Sequence, residues 1–361
     1  MSRSSYVPSG AKIKVVGMGG SGCNAITRMV REQIRGVEFI AMNTDAQALE
    51  VTEAPIRIQL GERLTRGLGA GGDHTIGRKS AEESRDEIKQ AISGADMIFI
   101  AAGMGGGTGT GSAPVVAEIS KASGALTIAV VTKPFNFEGT RRNQVAEEGI
   151  ANLIENVDTL IIIPNDRLLQ LCDNKTNVDN AFKLADEVLH HGVQAIAEVI
   201  TVPGLINLDF ADVRAIMKDA GPAWMSIGHG TGQNRASDAA KEALASPLLD
   251  VSVKGATGVL FNVAGADLTL FEVNTAAEII KGAVDPEANV IFGVVLDPNM
   301  NKDVRLTLIA TGFATKEAMA GIGKDKEMAR LLKGLKSDEL DVPSFMRQRH
   351  SYPGRYPSTR N

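Results

Sequence analysis

Two glycine clusters, each directly behind an apolar run, constrain this chain more than any other feature. The run "IKVVGM" from Ile13 leads into Gly17-Met18-Gly19-Gly20-Ser21-Gly22, and "MIFIAA" from Met97 leads into Ala102–Ser112, "AGMGGGTGTGS". The second cluster takes six of the chain's 38 glycines. Helical patterns follow both, expected over Asn24–Val30 and over Thr110–Ala122. A strand-to-helix turn of this composition lets backbone N–H groups approach an anion with no Cβ in the way. The helix N-terminus adds positive potential. Two such turns at the carboxyl edge of one sheet predict a phosphate site, where Thr108, Thr110 and Ser112 could donate hydroxyls or hold a metal-bound water. No Lys or Arg lies between Ser93 and Lys121. The GxxxxGK[ST] phosphate loop is therefore excluded, and Mg²⁺ is expected to offset the remaining charge.

The first loop matches GxGxxG, with Asp45 about twenty residues on, as in a dinucleotide-binding fold. Read alone it is equally a tight helix–strand junction. Its pairing with a second, deeper glycine loop favours a nucleotide phosphate.

Further strand-type runs are "VEFIAMN", "IRIQL", "LTIAVVTKP" and "TLIIIPN". Between several of them lie helical patterns such as Gly77–Ser93 and Glu138–Asn156. Near-continuous Val/Ile/Ala runs mean strands covered on both faces, the mark of a parallel sheet. The expected fold class is α/β, a doubly wound, mainly parallel sheet over residues 12–175. A connecting helix over 176–206 follows, then a smaller mixed α/β domain over 207–315. Within that domain, helices are expected at Asp209–Ala220, Ala236–Ser246 and Leu270–Val284. The runs "ANVIFGVVLDP" and "DVRLTLIATG" are joined by the short "PNMNK", which favours an antiparallel pair. Residues 1–11 read as a disordered tail, 316–339 as a linker and 340–361 as a second tail carrying a motif.

Aromatic residues make up only 4% of the 361 residues, so the cores must be aliphatic. A formal net charge of −5 offers no basic field for nucleic acid. Two cysteines, Cys23 and Cys172, without a CxxC spacing, argue against a disulfide framework or a zinc site and fit a reducing cytosol. No apolar run approaches the length of a membrane span, so no direct membrane insertion is expected.

"GGGTGTG" behind an apolar strand resembles the signature of the tubulin/FtsZ family. The likeness to its bacterial FtsZ branch extends from about Ala11 to Thr315 through "NTDAQAL", "RGLGAG", "VTKPFNFEG", "IPND", "NLDFADV" and "ASPLL", and resumes at "LDVPSFMR". The resemblance implies a GTP-binding and GTP-hydrolysing protein, with GTP/GDP and Mg²⁺ as ligands, that polymerises head to tail in the cytoplasm and forms the division ring at the inner face of the membrane. Carried over by position, Gly19, Gly20, Ser21, Gly22, Cys23 and Asn24 hold phosphates, as do Gly103, Gly105, Gly106, Gly107, Thr108, Gly109 and Thr110. Gly69, Ala70 and Gly71 lie near the terminal phosphate, and Asp45 belongs to the same nucleotide set. Glu138 and Arg142 look like ribose and phosphate-side contacts; Asn165, Phe182 and Asp186 resemble the guanine-site residues. The chemistry agrees: guanine presents N1–H and N2–H₂ as adjacent donors to a carboxylate, and a Phe one helical turn earlier can cover the ring. Without the family context, Phe182 and Asp186 would be a core residue and a solvated charge.

Asp209 and Asp212 stand three apart at a helix start, which an N-cap and an acidic first turn explain without function. The resemblance makes this the loop that enters the next subunit's site, with Asp209 and Asp212 orienting the attacking water and Asn207 beside them. The tail segment Leu340–Arg349 resembles a peptide that binds membrane-tethering and regulatory partners. Departures from the family pattern are Ser21 and Cys23 where glycines are common, "GGDHTIG" with Asp73–His74 near the site's mouth, and a short linker. Cys23 has no base to make it a nucleophile and is expected to pack or line the loop. His190 and His191 are adjacent and face different sides of a helix, so they are poor joint metal ligands. The competing readings are an NAD(P)-dependent oxidoreductase built on Gly17–Gly22, and a tubulin-like binding protein that has lost hydrolysis.

Overall fold

The computed structural model describes residues 10–34, 36–171, 177–201, 209–249 and 252–313. The expectations for residues 1–9, Cys172, Asn207, the linker and the tail Leu340–Arg349 lie outside these residues. The strands are β1 Ile13–Met18, β2 Val37–Asn43, β3 Ile56–Gln59, β4 Met97–Gly103, β5 Leu126–Lys133, β6 Thr159–Pro164, β7 Gly221–Gly230, β8 Gly258–Gly265, β9 Asn289–Leu296 and β10 Val304–Thr311. They form one ten-stranded sheet in the order β3-β2-β1-β4-β5-β6-β7-β10-β8-β9. The first six are parallel in doubly wound order, as expected.

The helices are α1 Gly19–Arg31, α2 Ala46–Glu50, α3 Glu62–Thr65, α4 His74–Glu83, α5 Arg85–Ile92, α6 Thr108–Ala122, α7 Thr140–Ile154, α8 Asn165–Leu168, α9 Val178–Thr201, α10 Phe210–Met217, α11 Arg235–Ala245 and α12 Leu270–Ala283. They cover both faces of the parallel strands. On one face Val15, Phe99 and Val130 pack with Ile26 and Met29 of α1 and with Leu189, Val193 and Ile196 of α9. On the other, Val16, Ile98, Ile100 and Val131 pack with Ala113 and Val116 of α6 and Ile150 and Leu153 of α7. Alternate residues of one strand thus serve two cores, which is why these strands read as continuous apolar runs.

Several local expectations needed correction. Both phosphate-loop helices begin inside the glycine clusters, at Gly19 and Thr108, rather than at Asn24 and Thr110. The Gly77–Ser93 helix is two helices broken at Ser84, whose hydroxyl accepts from Gly61 N–H at 3.0 Å. β9 and β10 do not pair. β10 is buried along nearly its whole length and needs a neighbour on each side, so it runs antiparallel between β7 and β8. β9, with exposed ends, takes the sheet edge parallel to β8.

Strand β7 was not anticipated, because Gly221, Pro222, Gly228 and Gly230 interrupt its apolar pattern. Those glycines serve packing. A Cβ on Gly228 or Gly230 would fall within 2.0 Å of carbonyl oxygens at Ala239 or Arg235 of α11, so the helix can lie directly on the strand only if both lack one. β7 joins the two parts of the sheet. Gly221–Ala223 pair with β6, and Trp224–Gly230 pair with β10.

Candidate functional site

β1 and β4 are adjacent and parallel, with Met18 opposite Ala102, so the two glycine loops leave the sheet side by side. Gly19 opens α1 with φ +66°, and a Cβ there would lie 2.9 Å from Gly109 N. The two loops therefore touch backbone to backbone, and only glycine permits both the dihedral and the approach. In the second loop Gly111 N–H makes the first intrahelical bond, to Gly107 O at 3.1 Å. The N–H groups of Thr108, Gly109 and Thr110 precede it and remain directed out of the helix end. Gly20 and Gly106 face open space, with no atom within 4 Å of a notional Cβ. Two helix N-termini and two bare glycines thus converge at the carboxyl edge of the sheet, an anion site held by backbone dipoles.

The hydroxyls find partners within the fold. Thr110 Oγ1 accepts from Gly105 N–H at 2.8 Å, and the Ser112 hydroxyl donates to Thr108 O at 2.6 Å. Both shape the loop, and Ser112 has no proton left for a phosphate. Thr108 Oγ1 shares a 2.6 Å bond with Thr44 Oγ1, which links the second loop to the end of β2. Thr44, inside the matched "NTDAQAL" but passed over in the sequence, is thereby placed beside the second loop.

Gly69–Gly71 lie against the same edge. Gly69 N–H donates to Thr44 O at 3.2 Å, and Leu68 bridges to Asp45. Ala70 packs on Gly107, where a Cβ would come within 2.8 Å. Asp45 itself caps α2, its carboxylate accepting from Gln47 and Ala48 N–H. Asp73 caps α4 in the same way, through Thr75, and His74 Nε2 stands 3.8 Å from Glu148. Ser21 and Asn24 are exposed on α1. Cys23 turns inward: its side chain is buried in the core, and burial pushes its thiol up to about 11. It can offer the site only its backbone.

Farther along the edge, Arg142 packs on the second loop, its carbonyl 2.7 Å from a notional Cβ of Gly105. Glu138 accepts from Phe135 N–H at 2.8 Å and pairs with Arg142 at 2.8 Å. At the end of β6, Asn165 begins α8, buried, with Oδ1 unpartnered. Phe182, 40% exposed, meets Phe135 edge-on with ring centroids 5.5 Å apart and Phe137 at 6.5 Å. Asp186 lies one turn further along α9. Burial raises its carboxyl to about 7, opposed by the charge of Arg28. Arg28, another residue missed in the sequence, also ties α1 to α9 through Lys183 O at 2.7 Å.

Asp209 and Asp212 stand elsewhere. α9 ends at Thr201 beside Gly36, just ahead of β2, at the amino edge of the sheet. α10 also ends at that edge: Gly221 N–H donates to Asp158 O at 2.9 Å, and Thr159, the first residue of β6, donates its hydroxyl to Met217 O. Asp209 caps α10 and accepts from Asp212 N–H at 2.9 Å. A six-residue strand is roughly 20 Å long, so α10, the helix that begins with Asp209 and Asp212, ends at the edge opposite the glycine loops.

Residues 12–173 match the model of the tubulin/FtsZ family GTPase domain, and residues 221–314 that of the FtsZ family C-terminal domain. The chain belongs to the tubulin/FtsZ family. Its catalytic activity is that of the family, GTP hydrolysis. FtsZ from M. jannaschii, solved as an empty dimer, is 51% identical, covers 84% of this chain and 88% of its own, and superposes with a TM-score of 0.82. A point mutant of the same FtsZ gives the same identity and TM-score, with 92% of its own chain covered. CetZ2 from Haloferax volcanii, solved as a GTPγS-bound protofilament, shares the fold at 18% identity and a TM-score of 0.74, over 89% of this chain and 99% of its own. In this tubulin/FtsZ chain the glycine loops belong to a GTPase domain, which displaces the oxidoreductase reading.

Proposed function

We propose that this GTPase polymerises head to tail and hydrolyses GTP at sites shared between neighbours. One subunit binds the nucleotide between its glycine loops, and the next supplies Asp209 and Asp212. The observation that supports this reading is that α10, which begins with Asp209 and Asp212, ends at the edge of the sheet opposite the glycine loops. A contact between unlike faces builds a filament when its rotation does not close into a ring. The M. jannaschii relative was solved as a dimer, and Leu68 stands 83% exposed on the nucleotide edge, where a neighbour would cover it.

Within the site, Gly19–Asn24 and Gly103–Thr110 surround the phosphates, with Gly69–Gly71 at the terminal one and Arg142 beside them. Asn165, Phe182 and Asp186 take the guanine. Mg²⁺ fits as an ion carried by the phosphates and water: among the described residues no group of three His, Cys, Asp or Glu side chains gathers. When bound it would offset phosphate charge, and Thr108, at the start of α6, is the residue whose hydroxyl would help hold it. The filament's proposed role is in a division ring, with the tail Leu340–Arg349 as its link to membrane-tethering partners. Among the described residues no helix is long and apolar enough to cross a membrane.

Phosphate release per subunit, followed beside light scattering, is expected to rise with protein concentration and to stop below the assembly threshold. Release independent of concentration would sink the shared site. A second expectation concerns pH. Guanine donors require an ionised Asp186, and in the free protein this carboxyl titrates at about 7. Below that pH, binding must first remove the proton. GTP affinity should therefore fall as pH drops from 8 to 6, by up to about tenfold per unit. In Asp186→Asn that component of the slope should vanish and affinity should be weaker throughout. An unchanged slope would remove Asp186 from the guanine site.

A further inference from the structure

α10 is eight residues long, yet its placement decides where Asp209 and Asp212 stand. Its N-terminus is closed from within, by Asp209. Its C-terminus is closed from outside. The last carbonyls of a helix have no intrahelical partner, and here two buried threonines supply one. The Met217 carbonyl accepts from the hydroxyl of Thr159. The Ile216 carbonyl lies 3.4 Å from Thr311 Oγ1 on β10, a hydroxyl shared with Gly258 O at 3.2 Å. Thr159 is the undivided contact of the two, and it is fully buried.

The turn that follows is braced as well. Asp219 has φ +51°, an uncommon conformation for a side-chain-bearing residue. Its carboxylate lies 3.4 Å from Lys121 Nζ, which also donates to Val157 O at 3.3 Å. Val157, Asp158 and Thr159 therefore each bear on the α10–β7 junction or its brace. Lys121 belongs to the last turn of α6, the helix that begins at the phosphate loop.

We propose that Thr159 is a positioning residue for the donated half of the GTPase site, with Lys121 as a second and weaker brace. The Thr159 hydroxyl anchors the far end of α10 and so sets the angle at which Asp209 and Asp212 meet the neighbour's nucleotide. This rests on the shared-site reading above. An attacking water must be held to within about an ångström, and a misplacement of that size can cost up to about 100-fold. An eight-residue helix, about 12 Å long, converts a small tilt at its anchored end into such a displacement at the other.

Thr159→Val keeps the branched shape and removes the donor, whereas Thr159→Ser keeps the hydroxyl. Thr159→Val should leave KM and GTP binding by the unassembled chain within about twofold and lower kcat about tenfold. Thr159→Ser should retain most of the activity. The deciding measurement is a mixture. Asp186→Ala carries an unaltered α10 and an impaired guanine site. Added to Thr159→Val, it should raise turnover above the sum of the two alone, because its α10 completes sites on the Thr159→Val subunits. Asp212→Ala mixed in the same way is the reference. Recovery for Asp212→Ala but not for Thr159→Val overturns the positioning role, as does unchanged kcat or a tenfold loss of GTP affinity in Thr159→Val. Recovery for neither overturns the shared site itself. If Thr159→Val fails to fold by circular dichroism, Lys121→Met, at a part-exposed position, takes its place with an expected two- to threefold loss of kcat; an unchanged kcat there likewise overturns the proposal.

Discussion

Asp212→Ala is expected to bind GTP within about twofold of the unaltered protein and to lose on the order of 100-fold in turnover. The binding half of this expectation follows from position. Asp212 lies on the first turn of α10, whose far end sits at the edge of the sheet away from the glycine loops, so removing its carboxylate should leave its own subunit's nucleotide site intact. The fold should also tolerate the change. The Asp212 backbone N–H, not its carboxylate, serves the Asp209 cap, so α10 loses only a favourable charge at its N-terminus, about 0.3–1 kcal/mol. Asp209→Ala is the less clean experiment, because it removes the cap as well, at about 1 kcal/mol. Equilibrium binding of GTP beside single-turnover phosphate release would separate the two effects. If Asp212→Ala abolished binding, the acidic pair would belong to its own subunit's site, and the donated-loop mechanism would fall.

Gly107→Ala is expected to weaken GTP binding by at least about tenfold, or about 1.4 kcal/mol, and GDP binding by less. The backbone itself accepts alanine, since Gly107 has φ −79°. The cost is contact: the new Cβ would stand 2.8 Å from Ala70 Cβ and 3.0 Å from Asp73 N. The segment 70–73 must move outward, and it is the segment proposed to meet the terminal phosphate, which only GTP carries. Gly106→Ala is the natural comparison. Nothing lies within 4 Å of its added Cβ, so the fold should be indifferent and any lost affinity reports the ligand directly. Calorimetric titration with GTPγS and GDP would measure both variants. Equal losses for the two nucleotides in Gly107→Ala would remove segment 70–73 from the terminal phosphate.

Much of the nucleotide edge was legible in the residues themselves. Continuous Val/Ile/Ala strands demanded a doubly covered parallel sheet, and glycine clusters at the ends of two of them demanded an anion close to the backbone. These are local signals, carried by consecutive residues. The roles of Ser112 and Thr110 were not legible in this way. A hydroxyl beside a phosphate loop reads as a donor until the fold turns it toward Thr108 O or Gly105 N. Thr44 and Arg28 were invisible for a related reason: each acts on a segment dozens of residues away or more, and only packing brings the two together. Strand β7 was hidden because its glycines serve the close approach of α11, a requirement set by a neighbour.

The sequence by itself determined the α/β class, the two glycine loops, the absence of a phosphate-loop lysine and the acidic start of α10. Short-range periodicity, steric freedom and charge specify all of these. Tertiary structure alone decided that the glycine loops and the far end of α10 lie at opposite edges of one sheet. It also decided that Thr159, on a strand of the nucleotide-binding half, anchors the helix that carries Asp209 and Asp212. Such facts depend on strand direction, on the length of α9 and on where a helix end finds its last hydrogen-bond partner, and no stretch of consecutive residues encodes them.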